Sequence, residues 1–582
     1  LLLQFLYVVD FVCVINQGGM MKWVVLIVLL CAFSVQAQVP DWTHRYNGPD
    51  NQPERGYDIA VDNAGNVYVC GFGWRSGTYE DYLIIKYTSD GDTAWVRYYD
   101  GGQQFYDYGH AIAVDDYGNV FVTGSSMESG NQLDIATIKY NSAGVIQWIH
   151  RYDGPVGDDD EGYDIALDDS GYIYVTGYSR GATTYPDYMT IKYDGDGDTV
   201  WTARYDGPFG GIDIANALAL DDSGNVYVTG SGNSLTYDYD CITVKYDAAG
   251  DSQWVVAYDS PASSADDKAS DIAIGGGFIY ITGSSEGQGT ELDYITVKYS
   301  SGGDTLWEMR YDGPGNDFDS ASAIVADSMG NVYVTGQSHG GATLRDYATI
   351  KYNFSGNIEW ITRYDGPDSD DDEAFDVILD ILGNVYVVGR SYATGAGTPE
   401  YDYLIVKYNP AGDTQWTYRY DGTGSAQDRP YAIATNDVGE ICITGSSTGN
   451  VGYDDVVTMK YGVTGIMEGA GSMVHETGYS LKVAPNPFSK QTDIRFTIQD
   501  SRSTEQQLRN SNFEMRKHTL KIYDAAGRLV KSFCLPTTYY LLPTAISWDG
   551  TDQSNRRLGC GVYFVRLEVG DHQATEQVLL IR

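Results

Sequence analysis

Positive charge is scarce in this sequence. Its 582 residues hold 37 lysines and arginines against 80 aspartates and glutamates, for a formal net charge of −43. Such a surface repels polyanions, so nucleic acid and anionic membranes are not expected partners. Cysteine is sparse too, seven in all, and no metal-type spacing links them. Cys70, Cys241 and Cys442 fall in separate repeats and read as buried free thiols in strands; a pairing of Cys534 with Cys560 in the tail stays open. Long stretches of 3.6-residue periodicity are missing, which excludes a helical solenoid. So are His-Glu-x-x-His, Gly-x-Ser-x-Gly and a phosphate loop in the right context. The histidines, at positions 44, 110, 150, 339, 475, 518 and 572, occupy unrelated places. No catalytic group is expected, although single residues from several repeats can still build a site.

Glycine and tyrosine are abundant instead, at 68 and 50 residues. Together they suggest short strands joined by tight turns. A hydrophobic content of 42% argues against global disorder. Residues 1–19 are apolar, lead into Met20-Met21, and read as an upstream over-extension of the frame. Residues 20–37 have the pattern of a signal peptide. Lys22 is its positive start, and Trp23 to Phe33 form an apolar core too short to span a bilayer. Val35-Gln36-Ala37 is the cleavage site, and Gln38 would begin a mature chain without a membrane span. Leu30 is too large for the position before a lipidated Cys31.

The main signal is a repeat. Trp42, Trp95, Trp148, Trp201, Trp254, Trp307 and Trp360 are spaced by 53 residues, and Trp416 follows after 56. Each unit holds four short β-branched or aromatic runs bounded by Gly, Asp or Asn. In the second unit these are Ala111 to Val114, Asn119 to Thr123, Asp134 to Tyr140, and the run around Trp148 to Tyr152. Four strands per unit of this length is the period of a propeller blade. The first Trp phrase precedes any full unit, and the last unit has only three strands. The N-terminal strand is therefore expected to complete the last blade and remove the open edge. The expectation over residues 38–461 is an all-β, eight-bladed β-propeller with third strands starting at Asp81, Asp134, Asp187, Asp240, Asp293, Asp346, Asp402 and Asp455. The tryptophans read as packing between blades, and the repeated Asp and Lys of the third strands as structural.

Loop lengths separate the two faces. The first and second strands, and the third and fourth, are joined by tight Gly hairpins such as Asp115 to Asn119 and Asn141 to Gly144. The other connections are longer and variable, as at Ser126 to Leu133, Ser391 to Tyr401, Gly154 to Gly162 and Gly366 to Ala374. They share one face, where binding is normally placed on a rigid scaffold. Tyr79, Tyr106, Tyr185, Tyr237 and Tyr401 lie in or near these loops as candidate ligand-stacking residues. Asp158, Asp159, Asp160, Asp370, Asp371 and Asp372 are candidate calcium ligands, since calcium takes six to eight oxygens. Acid runs are equally the ordinary composition of solvated loops. Asp194-Gly195-Asp196-Gly197-Asp198 is similar to a calcium loop, but it lacks the distal Glu and sits at a hairpin.

The repeat core, Ile59-Ala60-Val61-Asp62-Asn63-Ala64-Gly65-Asn66-Val67-Tyr68-Val69, resembles the bacterial beta-propeller repeat family. It recurs in weaker form in all eight units of residues 42–461. The family is often described as seven-bladed, whereas this sequence counts eight. The resemblance implies the fold and an extracellular setting, and no particular activity. Residues 462–480 read as a linker. Residues 481–582 carry Pro485-Asn486-Pro487-Phe488, Ile522 to Val530, Trp548-Asp549-Gly550 and Gly561 to Leu567, spaced as in a small immunoglobulin-like sandwich. These phrases look like the C-terminal sorting domain of type IX secretion cargo and the immunoglobulin-like domain of flagellar hook-capping proteins. The polar stretch Gln499 to His518 departs from that pattern as an inserted loop. The resemblance implies that residues 481–582 engage the secretion machinery and that the chain is secreted or held on the outer surface of a Gram-negative bacterium. The functional expectation is a monomeric, non-enzymatic binding or adhesion protein for polysaccharide or a surface protein. An extracellular polysaccharide hydrolase or lyase and a structural surface-layer element are the alternatives.

Overall fold

The computed structural model describes residues 10–15, 21–26, 39–102, 105–127, 132–181, 185–233, 238–260, 266–287, 289, 291–341, 344–366, 370–394, 399–422, 427–436, 439–449, 452–462, 478–484, 492–499, 518–524, 528–534, 544–548, 550–553, 556–559, 561–569 and 572–580. Every regular element among them is a strand, and none is a helix long and apolar enough to cross a membrane. The chain divides into two compact units, Leu1–Met467 and Glu468–Arg582.

The first unit contains eight four-stranded antiparallel sheets. Their inner strands are Glu54–Val61, Asp107–Val114, Asp160–Leu167, Asp213–Leu220, Asp267–Gly275, Asp319–Ala326, Asp372–Leu379 and Asp428–Thr435, and they number the sheets 1 to 8. Each inner strand packs against the next, and the last packs against the first. The fold is a β-propeller. Sheets 1 to 7 take their four strands in chain order. Sheet 8 borrows its outer strand, Trp42–Tyr46, from the N-terminal side; it pairs with Asp454–Tyr461 from Trp42↔Lys460 to Tyr46↔Val456. Arg45 fixes that register with an ion pair to Asp455 at 2.5 Å. Among the described residues, Asp10–Ile15 and Met21–Leu26 pair only with each other.

Local chemistry explains the repeat. In the Asp-x-x-Gly-Asn turn of sheet 1, Asp62 Oδ1 accepts from the Ala64 and Asn66 amides, while Oδ2 accepts from Asn66 Nδ2 and the Tyr68 hydroxyl. One carboxylate thereby satisfies a reversal that the backbone alone would leave open. Each outer-strand Trp reaches the following sheet. Trp201 Nε1 donates to Ala248 O at 3.2 Å, and its ring lies on Gly250, whose φ is +88°. The third-strand Lys192 donates to the same carbonyl at 3.4 Å. Equivalent Trp contacts at 3.2 Å run from Trp42, Trp95, Trp148, Trp254, Trp307 and Trp360. Trp416 is 5% exposed and packs on Tyr461.

The strands run further than the sequence suggests. The inner strand of sheet 2 begins at Asp107 rather than Ala111, with a register shift at His110. Asp107 pins that start by accepting from the Gly101 and Met127 amides, each at 3.1 Å. Third strands start one to three residues earlier than expected, as at Tyr79 and Pro399. Asp160 and Asp372 are therefore the first residues of inner strands, not loop residues.

The second unit contains a three-stranded sheet, ordered Gly478–Ala484, Thr492–Gln499, Thr544–Trp548, and a four-stranded sheet, ordered Leu529–Cys534, His518–Asp524, Gly561–Val569, His572–Leu580. The buried Trp548 of the first meets Tyr563 of the second edge-on at 5.5 Å. The Cys560 placement and the Cys534 side chain lie outside the described residues.

Candidate functional site

The register shift in each inner strand leaves one residue unpaired beside the propeller centre. In sheets 1 to 8 these are Tyr57, His110, Tyr163, Asn216, Ser270, Ser322, Phe375 and Tyr431. The ring they form is lopsided. Tyr431, Tyr57, His110 and Tyr163 are consecutive around it and touch one another: Tyr431–Tyr57 edge-on at 5.6 Å, Tyr57–His110 stacked at 6.1 Å, His110–Tyr163 edge-on at 5.7 Å. Three of the other four positions are small and polar.

The aromatic arc continues outward. Tyr108 stacks on His110 at 6.2 Å, Tyr106 stacks on Tyr108 at 6.3 Å, and Tyr79 meets Tyr106 at 6.1 Å. Tyr79 and Tyr106 are 50% and 46% exposed. Tyr79 also has φ +68°. A bulky side chain rarely adopts that conformation, and such strain at an exposed ring motivates a functional reading. Where the arc meets sheet 8, Arg55, Arg429, Tyr431, Gln427, Ser446, Thr448 and Asp454 line a cleft of about 220 Å³. Arg55 is paired with Asp454 at 2.8 Å, while Arg429 Nε is buried without a hydrogen-bond partner.

The arc contains a serine, a histidine and a carboxylate, so a nucleophilic site has to be considered. His110 Nε2 lies 3.3 Å from Ser125 Oγ and 3.7 Å from Glu161 Oε2. Both partners thus address the same ring nitrogen, whereas a relay needs the acid on the other one. Ser125 is fully buried, and burial pushes the His110 imidazole down to about 4. This geometry packs the three groups; it does not activate the hydroxyl.

The remaining expected residues are dispersed. Tyr185 is 55% exposed. Tyr401 is half-buried, with Arg390 4.2 Å above its ring and Tyr392 edge-on at 5.3 Å. Tyr237 lies outside the described residues. The two acid runs do not converge. Asp158 pairs with Arg180, Asp159 accepts from the Leu133 amide at 3.0 Å, and Asp160 is fully buried, accepting from the Gly154 and Arg180 amides. Asp370 accepts from the Asp371 amide, Asp371 from the Arg345 amide, and buried Asp372 from the Gly366 amide at 2.5 Å. The sequence reading missed Tyr57, Tyr108, His110, Tyr163, Tyr431 and the two arginines. Lining up the residue before each Ala-Ile or Asp-Ile pair of the repeat would have displayed the first, third, fourth and fifth as one column.

A known repeat family agrees with this architecture. The family described as beta-propeller repeat matches residues 94–129, 147–182 and 200–235. An uncharacterized WD repeat-containing protein of Acanthamoeba polyphaga mimivirus is 22% identical over 447 residues, covering 62% of this chain. The chain spans about a third of that relative, 31% of its length. Among solved structures, the chain is similar to a eukaryotic initiation factor, with a TM-score of 0.33 and 8% identity over 76% of this chain and 85% of that one. It is also similar to the β-propeller domain of the Trilobed protease from Pyrococcus furiosus, with a TM-score of 0.32 and 8% identity over 63% and 96%. Its sheet order makes the first unit a β-propeller, and three of its units match the beta-propeller repeat family.

Proposed function

We propose that this chain is an exported, non-enzymatic binding protein. Its eight-bladed propeller presents a glycan-binding surface along the aromatic arc of sheets 8, 1, 2 and 3. The observation that carries this reading is the continuous row from exposed Tyr79 and Tyr106 inward to Tyr108 and His110. Sugar rings present apolar faces that stack on aromatic side chains, and their hydroxyls bond to flanking polar groups. Arg55 and Arg429 add donors for sugar hydroxyls at one end of the row. Residues 481–582 act as an immunoglobulin-like sorting domain, a reading supported by their three- and four-stranded sheets and by the tail phrases. Export through an outer membrane and surface attachment follow from that assignment.

The test is a polysaccharide array probed with the full chain and with Tyr79→Ala/Tyr106→Ala. Saturable binding to one glycan class, lost in the variant, is the expected result. No saturable signal on a broad array would refute a glycan ligand and favour a protein partner.

A further inference from the structure

The junctions that follow sheets 1 to 5 each bring three carboxylates together. One belongs to the third strand, one follows the outer strand, and one begins the next inner strand. At the junction of sheets 2 and 3 they are Asp134, Asp153 and Asp160; at that of sheets 4 and 5 they are Asp240, Asp259 and Asp267. In each triad, one carboxylate oxygen per residue lies within 4.8 Å of the others. Most junctions supply their own cation. An outer-strand arginine pairs with the third-strand aspartate: Arg151–Asp134 at 3.1 Å, Arg204–Asp187 at 2.9 Å, Arg310–Asp293 at 2.8 Å, Arg363–Asp346 at 2.7 Å, Arg419–Asp402 at 3.6 Å, Arg45–Asp455 at 2.5 Å.

Two junctions lack that arginine. Sheet 1 has Tyr98 in its place, but Arg75 stands over the Tyr98 ring at 4.9 Å and adds its charge near Asp81. Sheet 4 has Ala257; Arg310 of sheet 5 adds its charge near Asp267, but among the described residues no arginine pairs with Asp240. Lys268 is paired with Asp266 at 3.1 Å, and Arg310 with Asp293. The same junction differs at a second position. Gly101, Gly154, Gly207, Gly313, Gly366 and Gly422 donate their amides to the inner-strand aspartates. Here Ser260 does so, to Asp267 Oδ2 at 2.7 Å. A Cβ on Gly154 would come within 2.8 Å of the Asp160 carboxylate, so a side chain at this position lies beside the triad. Ser260 is 4% exposed, yet its Oγ and Asp240 Oδ1 have no hydrogen-bond partner, while the fully buried Asp267 has the Ser285 hydroxyl and the Ser260 amide beside it.

We propose that the junction of sheets 4 and 5 is a divalent-cation site, selective for calcium, in which Asp240, Asp259, Asp267 and Ser260 supply the protein oxygens. Removal of the arginine and addition of a hydroxyl at one junction exchange an internal cation for an external one. Calcium–oxygen distances of about 2.3–2.6 Å place ligand oxygens up to about 5 Å apart, the spacing of this triad. Four protein oxygens leave room for waters in a shell of six to eight, and the irregular, all-oxygen geometry suits calcium better than octahedral magnesium. Buried oxygens without partners are otherwise costly, and the ion satisfies them. This site is separate from the aromatic arc and stands or falls independently of glycan binding.

The test is calorimetric titration of the chelator-treated full chain with calcium, and separately with magnesium, at physiological salt. Two variants are compared. Ala257→Arg/Ser260→Gly recreates the arrangement of the other junctions and is expected to fold as they do; Asp240→Asn removes a ligand. The expected result is one saturable calcium site that disappears in the first variant and weakens by about tenfold or more in the second. Calcium should also raise the thermal midpoint of the wild type and not that of Ala257→Arg/Ser260→Gly. Equal binding by wild type and Ala257→Arg/Ser260→Gly would assign the signal to the general acidic surface and overturn the site, as would the absence of saturable binding. A preference for magnesium would overturn the calcium assignment.

Discussion

Replacing Asp81 with asparagine should stabilise the propeller at pH 8 and do so much less at pH 5. Asp81 is fully buried near Asp100 and Asp107 and accepts a hydrogen bond from the Thr78 hydroxyl at 2.9 Å. Burial is the main reason its carboxyl titrates at about 7 instead of 3.8; the two neighbouring aspartates push the same way, and Thr78 and Arg75 pull back. The folded state therefore holds this proton more tightly than the unfolded chain. Its contribution is fully present below 3.8 and is lost as pH rises through about 7. One pKa unit is about 1.36 kcal/mol, so the loss between pH 5 and pH 8 is at most about 3 kcal/mol. Asparagine matches aspartate in shape, keeps an acceptor for Thr78 and cannot ionise, so it removes this pH dependence. With about 2.1 cal/mol/K of unfolding entropy per residue, a propeller of this size shifts by roughly 1 °C per kcal/mol. Thermal unfolding followed by tryptophan fluorescence should give a gain about 3 °C larger at pH 8 than at pH 5. A shift that is the same at both pH values, or larger at pH 5, would refute the buried-proton account.

Gly250→Ala should cost about 2 kcal/mol or more, because φ +88° strains alanine and its Cβ would lie 2.7 Å from the Trp201 ring. Gly224→Ala, with φ +76° but no atom nearer than 3.7 Å, should show the smaller cost in the same urea titration. Tyr79→Gly should raise stability by about 1 kcal/mol by relieving a left-handed tyrosine while weakening glycan binding; a variant that binds as well as wild type removes Tyr79 from the site. Asp164→Ala removes the acceptor of the Ile165 and Leu218 amides, and should destabilise by about 1–3 kcal/mol for each amide left dry. Hydrogen exchange at those two amides reports it directly.

Much of the scaffold is legible in the sequence. The Trp spacing gave the repeat because one indole per unit must reach the next hairpin, and that hairpin needs glycine to admit the ring. The displaced first Trp phrase pointed to a closing strand, because an unpaired third strand is an open edge. Placement of the acids was less legible. Asp160 belongs to an acidic run that looks solvated, yet it is fully buried, since its oxygens collect amides from Gly154 and Arg180 that only the folded junction brings near. Strand ends were also hidden, because polar residues such as Asp107 extend the ladder by accepting backbone amides rather than by being apolar. The aromatic arc escaped notice for another reason. Tyr57, His110 and Tyr163 are 53 residues apart, Tyr431 comes from the far end of the propeller sequence, and neighbours around the ring need not be identical.

The inner strands also carry a longer period than the tryptophans do. The residue after each unpaired position is Asp58, Ala111, Asp164, Ala217, Asp271, Ala323, Asp376 and Ala432 in turn. Each aspartate reaches across one junction: Asp58 to the Ile112 amide, Asp164 to Leu218, and Asp271 to Ile324, each at 2.8 Å, and Asp376 to Ile433 at 2.9 Å. At three of the other four junctions the unpaired residue makes the contact, through Tyr431–Tyr57, His110–Tyr163, and Asn216 Nδ2 donating to Ala269 O. Alternation keeps the carboxylates two sheets apart around a shared centre. Even so, burial and the mutual repulsion of the four push Asp58 and Asp271 up to about 7. Aspartate on every sheet would place like charges on adjacent strands, where repulsion is stronger. The pattern closes without conflict because Ala432 precedes Asp58 around the ring, and an alternating pattern closes only when the number of sheets is even. The structural unit of this propeller is accordingly a pair of sheets, one reaching with a carboxylate and one receiving it, and the ring is stabilised at its centre by four such pairs.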